Sequence, residues 1–227
     1  IGDWLEVLGV NTLDEHLSYI TLRGARKRDH PQSFSYHEPW WESYHVMANY
    51  MTRLSAALSH GEQINRVLVL EPTTTVWMYQ GDGAGLKKVG DPFFQLLMSL
   101  EAAQVEYDLG CEDILARHGS IKDKQLAVGR RSYGTVVLPP ATENLNRASM
   151  ALIEGLLKCG GTVLCLGEPP ARVDGAVSER GGQAAKHPAW KAVEPAAVPA
   201  LLALSLEKDN FAIAREAGDK EIGRAHV

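Results

Sequence analysis

Three short apolar runs constrain this chain more than anything else in it: "NRVLVLEP" from Asn65, "TVVLPP" from Thr135 and "TVLCLG" from Thr162. Each is hydrophobic at consecutive rather than alternate positions, the pattern of a strand buried on both faces. Helical stretches lie between them. "DPFFQLLMSLEAAQ" is predicted to open at Asp91 and Pro92, the N-cap and first-turn positions that suit those residues, and "NRASMALIEGLLKCGG" is capped by Asn144 or Asn146. "VEYDLG" reads as another strand, "GCEDILARHG" as a brief helix and "SIKDKQLAVGRRSY" as a small hairpin. Strands that alternate with helices imply a parallel sheet covered on both faces, so the residues from about Asn65 to Gly175 are expected to form one doubly wound α/β domain.

The residues before it have a different character. "DWLEVLGVN" reads as the tail of a helix closed by Gly9, and "VNTLDEHLSYI" as a strand with Asp14, Glu15 and His16 crowded near its end. Polar groups at that end of a strand suggest a mouth, as at the C-terminal face of a barrel. The segment "RGARKRDHPQSFSYHEPWW", Arg23 to Trp41, is too charged for a core, because unpaired buried charges cost several kcal/mol each. It is expected to be a rim. "WESYHVMANYMTRLSAALSHG" then sets Tyr44, Met47, Ala48, Met51, Leu54, Ala57 and Leu58 on one face of an amphipathic helix. Past Gly175 the pattern fades: "AVSERGGQAAKHPAW" is rich in Gly and Ala, "EPAAVPALLALSLEKDN" contains a helix, and "FAIAREAGDK" looks like a strand entering a turn.

Several chemistries can be weighed against these elements. A dinucleotide fingerprint needs its glycines directly after the first strand, and "GDGAG" comes about ten residues too late, so it reads as a flexible loop. A nucleophilic elbow of the amidotransferase kind needs a Cys at a tight strand-to-helix turn, but the corresponding junction, "LPPATENLN", has none. Cys111, Cys159 and Cys165 show neither disulfide nor metal-ligand spacing and read as buried packing thiols. The helix start after "ATENLN" could attract an anion, although its own Asn cap already serves it. More informative are Asp14, Glu15 and His16, which could meet sugar hydroxyls or pair with Arg23, Arg26 and Arg28, and the rings of Tyr36, His37, Trp40 and Trp41, on which a sugar could pack. Trp41 is equally suited to anchoring the helix it begins.

A net charge of −5 argues against bulk attraction to nucleic acid or anionic lipid, and no apolar run approaches the roughly 20 residues a membrane helix needs. The chain begins with Ile, and "EIGRAHV" at its end reads as an in-frame translation of a sequencing-adapter sequence, so it is expected to be an internal piece of a longer protein.

"GVNTLDEHLSY", the loop ending "HEPWW", "YMTRLSAALSHGEQINRVLVLEPTTTVWM" and "YGTVVLPPATENLNRASMALIEGLLKCGGTVLCLGEPPARVDG" together resemble the C-terminal part of large bacterial glycoside hydrolases of family 106, related to α-L-rhamnosidases. The resemblance spans roughly residues 1 to 220. It implies an α/β chain in which a flavodoxin-like doubly wound parallel sheet, similar to class I glutamine amidotransferases, is preceded by the last strand and helix of a (β/α)8 barrel. The implied division is 1–62 for the end of the barrel, 63–176 for the flavodoxin-like domain, 177–220 for a linker, a helix and the start of a truncated β-sandwich, and 221–227 for the adapter-like tail. Paired carboxylates that hydrolyse a glycosidic bond, in some members beside a calcium ion, would lie upstream of this piece, which alone would be inactive. No cofactor is identified in the piece itself. The loop would sit over the substrate, with His16, Tyr19, Arg26, Asp29, His37 and Trp40 contributing to sugar binding and no catalytic carboxylate assigned to Glu15 or Glu38. The implied partner is a carbohydrate, with neither nucleic acid nor membrane, and with an oligomer conceivable through the flavodoxin-like domain. A secreted or periplasmic address would agree with the family. The alternative reading is a noncatalytic flavodoxin-like module for binding or oligomerisation.

Overall fold

The computed structural model describes residues 1–14, 18–28 and 34–206. The chain divides into two compact units between Gln63 and Ile64.

In the first unit, α1 (Gly2–Val7) packs against α2 (Tyr44–Leu58), and two 3-10 turns, Gly24–Arg28 and Trp41–Ser43, lie between them in the chain. Two side-chain bonds join the helices: Tyr50 OH donates to Asp3 Oδ2 at 3.0 Å, and Ser55 Oγ donates to buried Glu6 Oε1 at 2.6 Å. The expected helix therefore forms. The expected strand over 10–20 does not form in its described part, residues 10–14 and 18–20, while Glu15, His16 and Leu17 lie outside the described residues. A strand is held by the ladder of a neighbour, and the described residues of this unit supply no second strand to pair with it.

The second unit begins with β1 (Val67–Leu70), α3 (Thr73–Met78), α4 (Gly83–Ala102), β2 (Asp108–Gly110) and α5 (Glu112–His118). A meander follows, made of β3 (Gly119–Lys122), β4 (Gln125–Val128) and β5 (Arg131–Tyr133), where a hairpin was expected. Its first turn puts Asp123 and Lys124 both at positive φ, the geometry that matches the twist of a two-residue hairpin. Next come β6 (Thr135–Leu138), β7 (Asn144–Leu145), α6 (Arg147–Lys158) and β8 (Thr162–Cys165). The chain then forms β9 (Arg172–Val173), β10 (Ala176–Val177), α7 (Arg180–Ala184), β11 (Trp190–Ala192) and α8 (Val198–Leu206).

Five strands pair in parallel in the order β11-β8-β6-β1-β2. Counted along the chain that order is 2-1-3-4-5, the flavodoxin-like arrangement. Consecutive residues point to opposite faces, so the runs read as continuous apolar segments fill two cores. Leu68, Leu70, Val136, Leu138, Val163 and Cys165 face α5 and α6. Val67, Val69, Val137 and Leu164 face Leu96 and Leu100 of α4 and Val198 and Leu202 of α8. The sheet runs on past residue 176: β11 is its fifth strand, in register Trp190 with Val163, and α8 closes its second face. Residues 207–227, including the expected start of a sandwich and the adapter-like tail, lie outside the described residues.

One helix begins earlier than expected. The chain enters α4 at Asp82, whose Oδ1 accepts from the Ala84 N–H at 3.1 Å, and runs through Pro92 to Ala102. "GDGAG" is thus a capped first turn rather than a flexible loop, because Asp82 supplies the acceptor that the free N–H groups need.

Candidate functional site

The first candidate is the loop from Arg23 to Trp41, whose base is tied at two points. Ser18 Oγ donates to the Phe34 carbonyl at 2.7 Å, and His37 Nε2 lies 3.2 Å from the Ile20 carbonyl. A carbonyl only accepts, so Nε2 carries the proton there and His37 is fixed beside the residue that follows Tyr19. Its ring rests on Tyr36 at 4.1 Å between centroids. Trp40 is half-buried, edge-on to Phe34 at 5.6 Å and tilted against Tyr44 at 5.8 Å. Trp41, which anchors no core, is 41% exposed and stacks on Tyr44 at 5.5 Å and 12°.

Trp41, Glu42, Tyr44, His45 and Ala48 line a shallow hollow of about 450 Å³. Of the predicted site residues, His37 and Trp40 lie in two successive turns, closed by the Glu38 N–H on the Ser35 carbonyl and the Trp41 N–H on the Glu38 carbonyl, Tyr19 adjoins the segment His37 holds, and Arg26 lies exposed on the Gly24–Arg28 turn. His16 and Asp29 lie outside the described residues. Trp41, Glu42 and His45 were not singled out as a set; their spacing over the first turn of a helix was the available signal.

The second candidate is the switch point of the sheet, between the C-terminal ends of β1 and β6, where open α/β folds hold their ligands. Here the chain fills the crevice itself. Thr75, fully buried, accepts from the N–H groups of Glu143 and Asn144 at 3.1 and 3.0 Å and donates to the Asn144 carbonyl at 3.1 Å, the full capacity of one hydroxyl. Glu112, 2% exposed, takes the place an anion would occupy at the start of α6: its Oε2 accepts from the Asn146 N–H at 2.6 Å and its Oε1 accepts from Thr74 Oγ1. Asn146 completes the cap by accepting from the Ser149 N–H at 2.7 Å.

Beside them, Glu143 accepts from Tyr79 OH at 2.8 Å and from Lys88 Nζ at 2.8 Å. The bond from Lys88, helped by Tyr79 and Arg172, holds the Glu143 carboxyl below the usual carboxylate range, and the same carboxylate raises the Tyr79 phenol. A general acid needs the opposite shift, so Glu143 is not poised as one and the trio is an ion-pair network.

The β6 exit does keep one trait of a nucleophilic elbow. Ala141, three residues after the strand, sits at φ +58°, which a non-glycine residue rarely adopts. It carries no nucleophile, and α6 starts only at Arg147, so its N–H groups do not converge on Ala141 as an oxyanion hole requires. Of the thiols, only Cys165 is buried, and burial pushes it up to about 11; Cys111 and Cys159 are half-buried, correcting the expectation of three buried thiols. Among the described residues no cluster of three or more His, Cys, Asp or Glu could hold a metal ion, and no helix is long and apolar enough to cross a membrane.

No protein-family model matches the chain, and no curated protein matches it. Among solved structures, the chain is similar to a rhamnosidase from Novosphingobium sp. PP1Y, at 18% identity over 79% of this chain, with a TM-score of 0.45. The chain spans about 15% of the length of that rhamnosidase.

Proposed function

We propose that this chain is a piece of an α-L-rhamnosidase-like glycoside hydrolase in which the flavodoxin-like unit is noncatalytic and the Arg23–Trp41 loop borders a sugar site built largely by residues outside the chain. The observation that carries the noncatalytic part is the sealed switch point: Thr75 and Glu112 occupy the positions a ligand would need, and Ala141 stands where an elbow nucleophile would be. The sugar-binding part rests on the motif resemblance of residues 1 to 220 and is supported by the His37 ring held at the base of the loop and by the half-buried Trp40 indole. His16, Tyr19, Arg26, Asp29, His37 and Trp40 are the proposed contacts, with calcium, if the full-length enzyme uses it, bound elsewhere.

The test has two arms. The 227-residue chain should not hydrolyse aryl α-L-rhamnosides, whereas clear turnover would overturn the reading. In the full-length enzyme, His37→Ala and Trp40→Ala should each lower kcat/KM by about fivefold or more, since one lost stacking or polar contact is worth roughly 1 kcal/mol or above. Glu143→Gln should leave it unchanged. Unaltered hydrolysis in the His37 and Trp40 variants would favour the pure module reading instead.

A further inference from the structure

The inner side of α4 is already used, with Leu96 and Leu100 in the second core and Val89 buried one to two turns earlier. Its outer side is unlike that of a solvated helix. Leu86, Gly90, Phe94 and Met98 recur every fourth residue and form one apolar ridge, interrupted at Gly90, along a helix about 30 Å long. Phe94, at its middle, is 56% exposed, and Leu86 and Met98 are each 37% exposed. A ring left in water at the centre of a long helix points to a partner surface.

The order of residues along this ridge is self-complementary. If a second copy of α4 lies antiparallel with the two-fold axis at Phe94, each position before Phe94 meets the position equally far after it. Four residues out, Gly90 meets Met98; seven residues out, Lys87 meets Glu101. Gly90 has open space where a Cβ would stand, a notch for the Met98 side chain. Lys87 forms no ion pair among the described residues, and Glu101 is only half-exposed, bonded on one oxygen by Tyr107 OH at 3.0 Å. Steric fit, charge and an aromatic pair on the axis thus agree on a single register, and two-fold symmetry makes each off-axis contact twice.

We propose that the outer face of α4 is a homodimer interface, closed by a second copy of this chain packed antiparallel about Phe94. One helix per copy is a small interface, so the dimer is weak and reversible, with Kd on the order of 10 µM. The inference is independent of the glycosidase reading, because neither sugar nor activity enters its test.

Sedimentation of the 227-residue protein over a wide concentration range should show a monomer–dimer equilibrium. Phe94→Glu should weaken it at least tenfold. Gly90→Gln is more discriminating: it strengthens the helix yet fills the notch, so folding should hold while association drops about tenfold. Lys87→Glu and Glu101→Lys should each weaken the dimer by opposing like charges, and the double exchange should restore it. A protein that stays monomeric at all concentrations, or a dimer that is indifferent to Gly90→Gln and not rescued by the double exchange, would overturn the proposal, the former outcome leaving the ridge to a different partner.

Discussion

Thr75 commits one hydroxyl to three hydrogen bonds in a site without access to water, and so joins the segment after β1 to the segment after β6. Valine has nearly the same shape but none of that capacity. Thr75→Val should leave two N–H groups and a carbonyl with weaker or no partners and lower stability by about 2–4 kcal/mol, read as a lower urea midpoint at unchanged slope. Thr75→Ser keeps the hydroxyl and should lose only about 1 kcal/mol, the worth of one buried methyl. Equal losses in both variants would mean that packing, not hydrogen bonding, holds the crevice shut. None of this could be read in "EPTTTVW", because the partners lie 68 and 69 residues away and three consecutive threonines after a strand look like any polar turn. The Asn146 cap was legible, since its donor is three residues on and the apolar spacing of α6 announces where the helix must start. Glu112 was not, because a carboxylate from α5 reaches that cap only once the sheet has formed.

At the scale of the element, α4 shows how two local rules can compete. Asp-Pro is a good way to open a helix, which placed the expected start at Asp91. Asp82 caps an earlier start, and Val89 ahead of the proline and Leu96 and Leu100 after it are all buried, so packing carries the helix through Pro92. The cost remains: Pro92 has no N–H for the Lys88 carbonyl, and its ring crowds that carbonyl. Pro92→Ala should therefore raise stability, by about 1–2 kcal/mol once the greater freedom of the unfolded chain is subtracted, and thermal unfolding would reveal it as a higher midpoint. A lower midpoint would show that the local bend is needed to seat Leu96 and Leu100. The short elements were the least legible: β11 is three residues long with only Trp190 buried, so no apolar run marks it, and it becomes a strand only through parallel pairing with β8. The segment at 10–20 is the converse, a strand-like pattern with no neighbour among the described residues of its unit to supply a ladder.

Across the whole molecule, the ionisable groups confine stability to a window of pH. Glu143 and Glu154 are held below the usual carboxylate value of 4.5, first by the Lys88 and Arg180 hydrogen bonds respectively. A carboxylate whose folded pKa is depressed stabilises the fold above its unfolded value, and that contribution drains away as pH falls from 4.5 through the folded pKa. The Glu154 pair is the firmer of the two, with Arg180 Nε and Nη2 each 2.8 Å from a carboxylate oxygen and both side chains about two-thirds covered. Even so, solvent screening limits it to about 1 kcal/mol. At the other end, burial raises Cys165 from 9.0 to about 11 and raises Tyr107 and Tyr133 above their usual 10.0, Tyr133 also donating to Asp108 Oδ2 at 2.6 Å. These groups stay neutral in the fold after the unfolded chain has begun to ionise, so their contribution is complete below 9.0 and erodes as pH climbs past 9.0 and 10.0. Urea midpoints measured against pH should thus be flat with respect to these groups from 4.5 to 9.0 and fall on both sides. Glu154→Gln should make the acid limb shallower and leave the alkaline limb alone, while Cys165→Ala and Tyr133→Phe should do the reverse. An acid limb unchanged by Glu154→Gln would assign it to carboxylates other than the Arg180 pair.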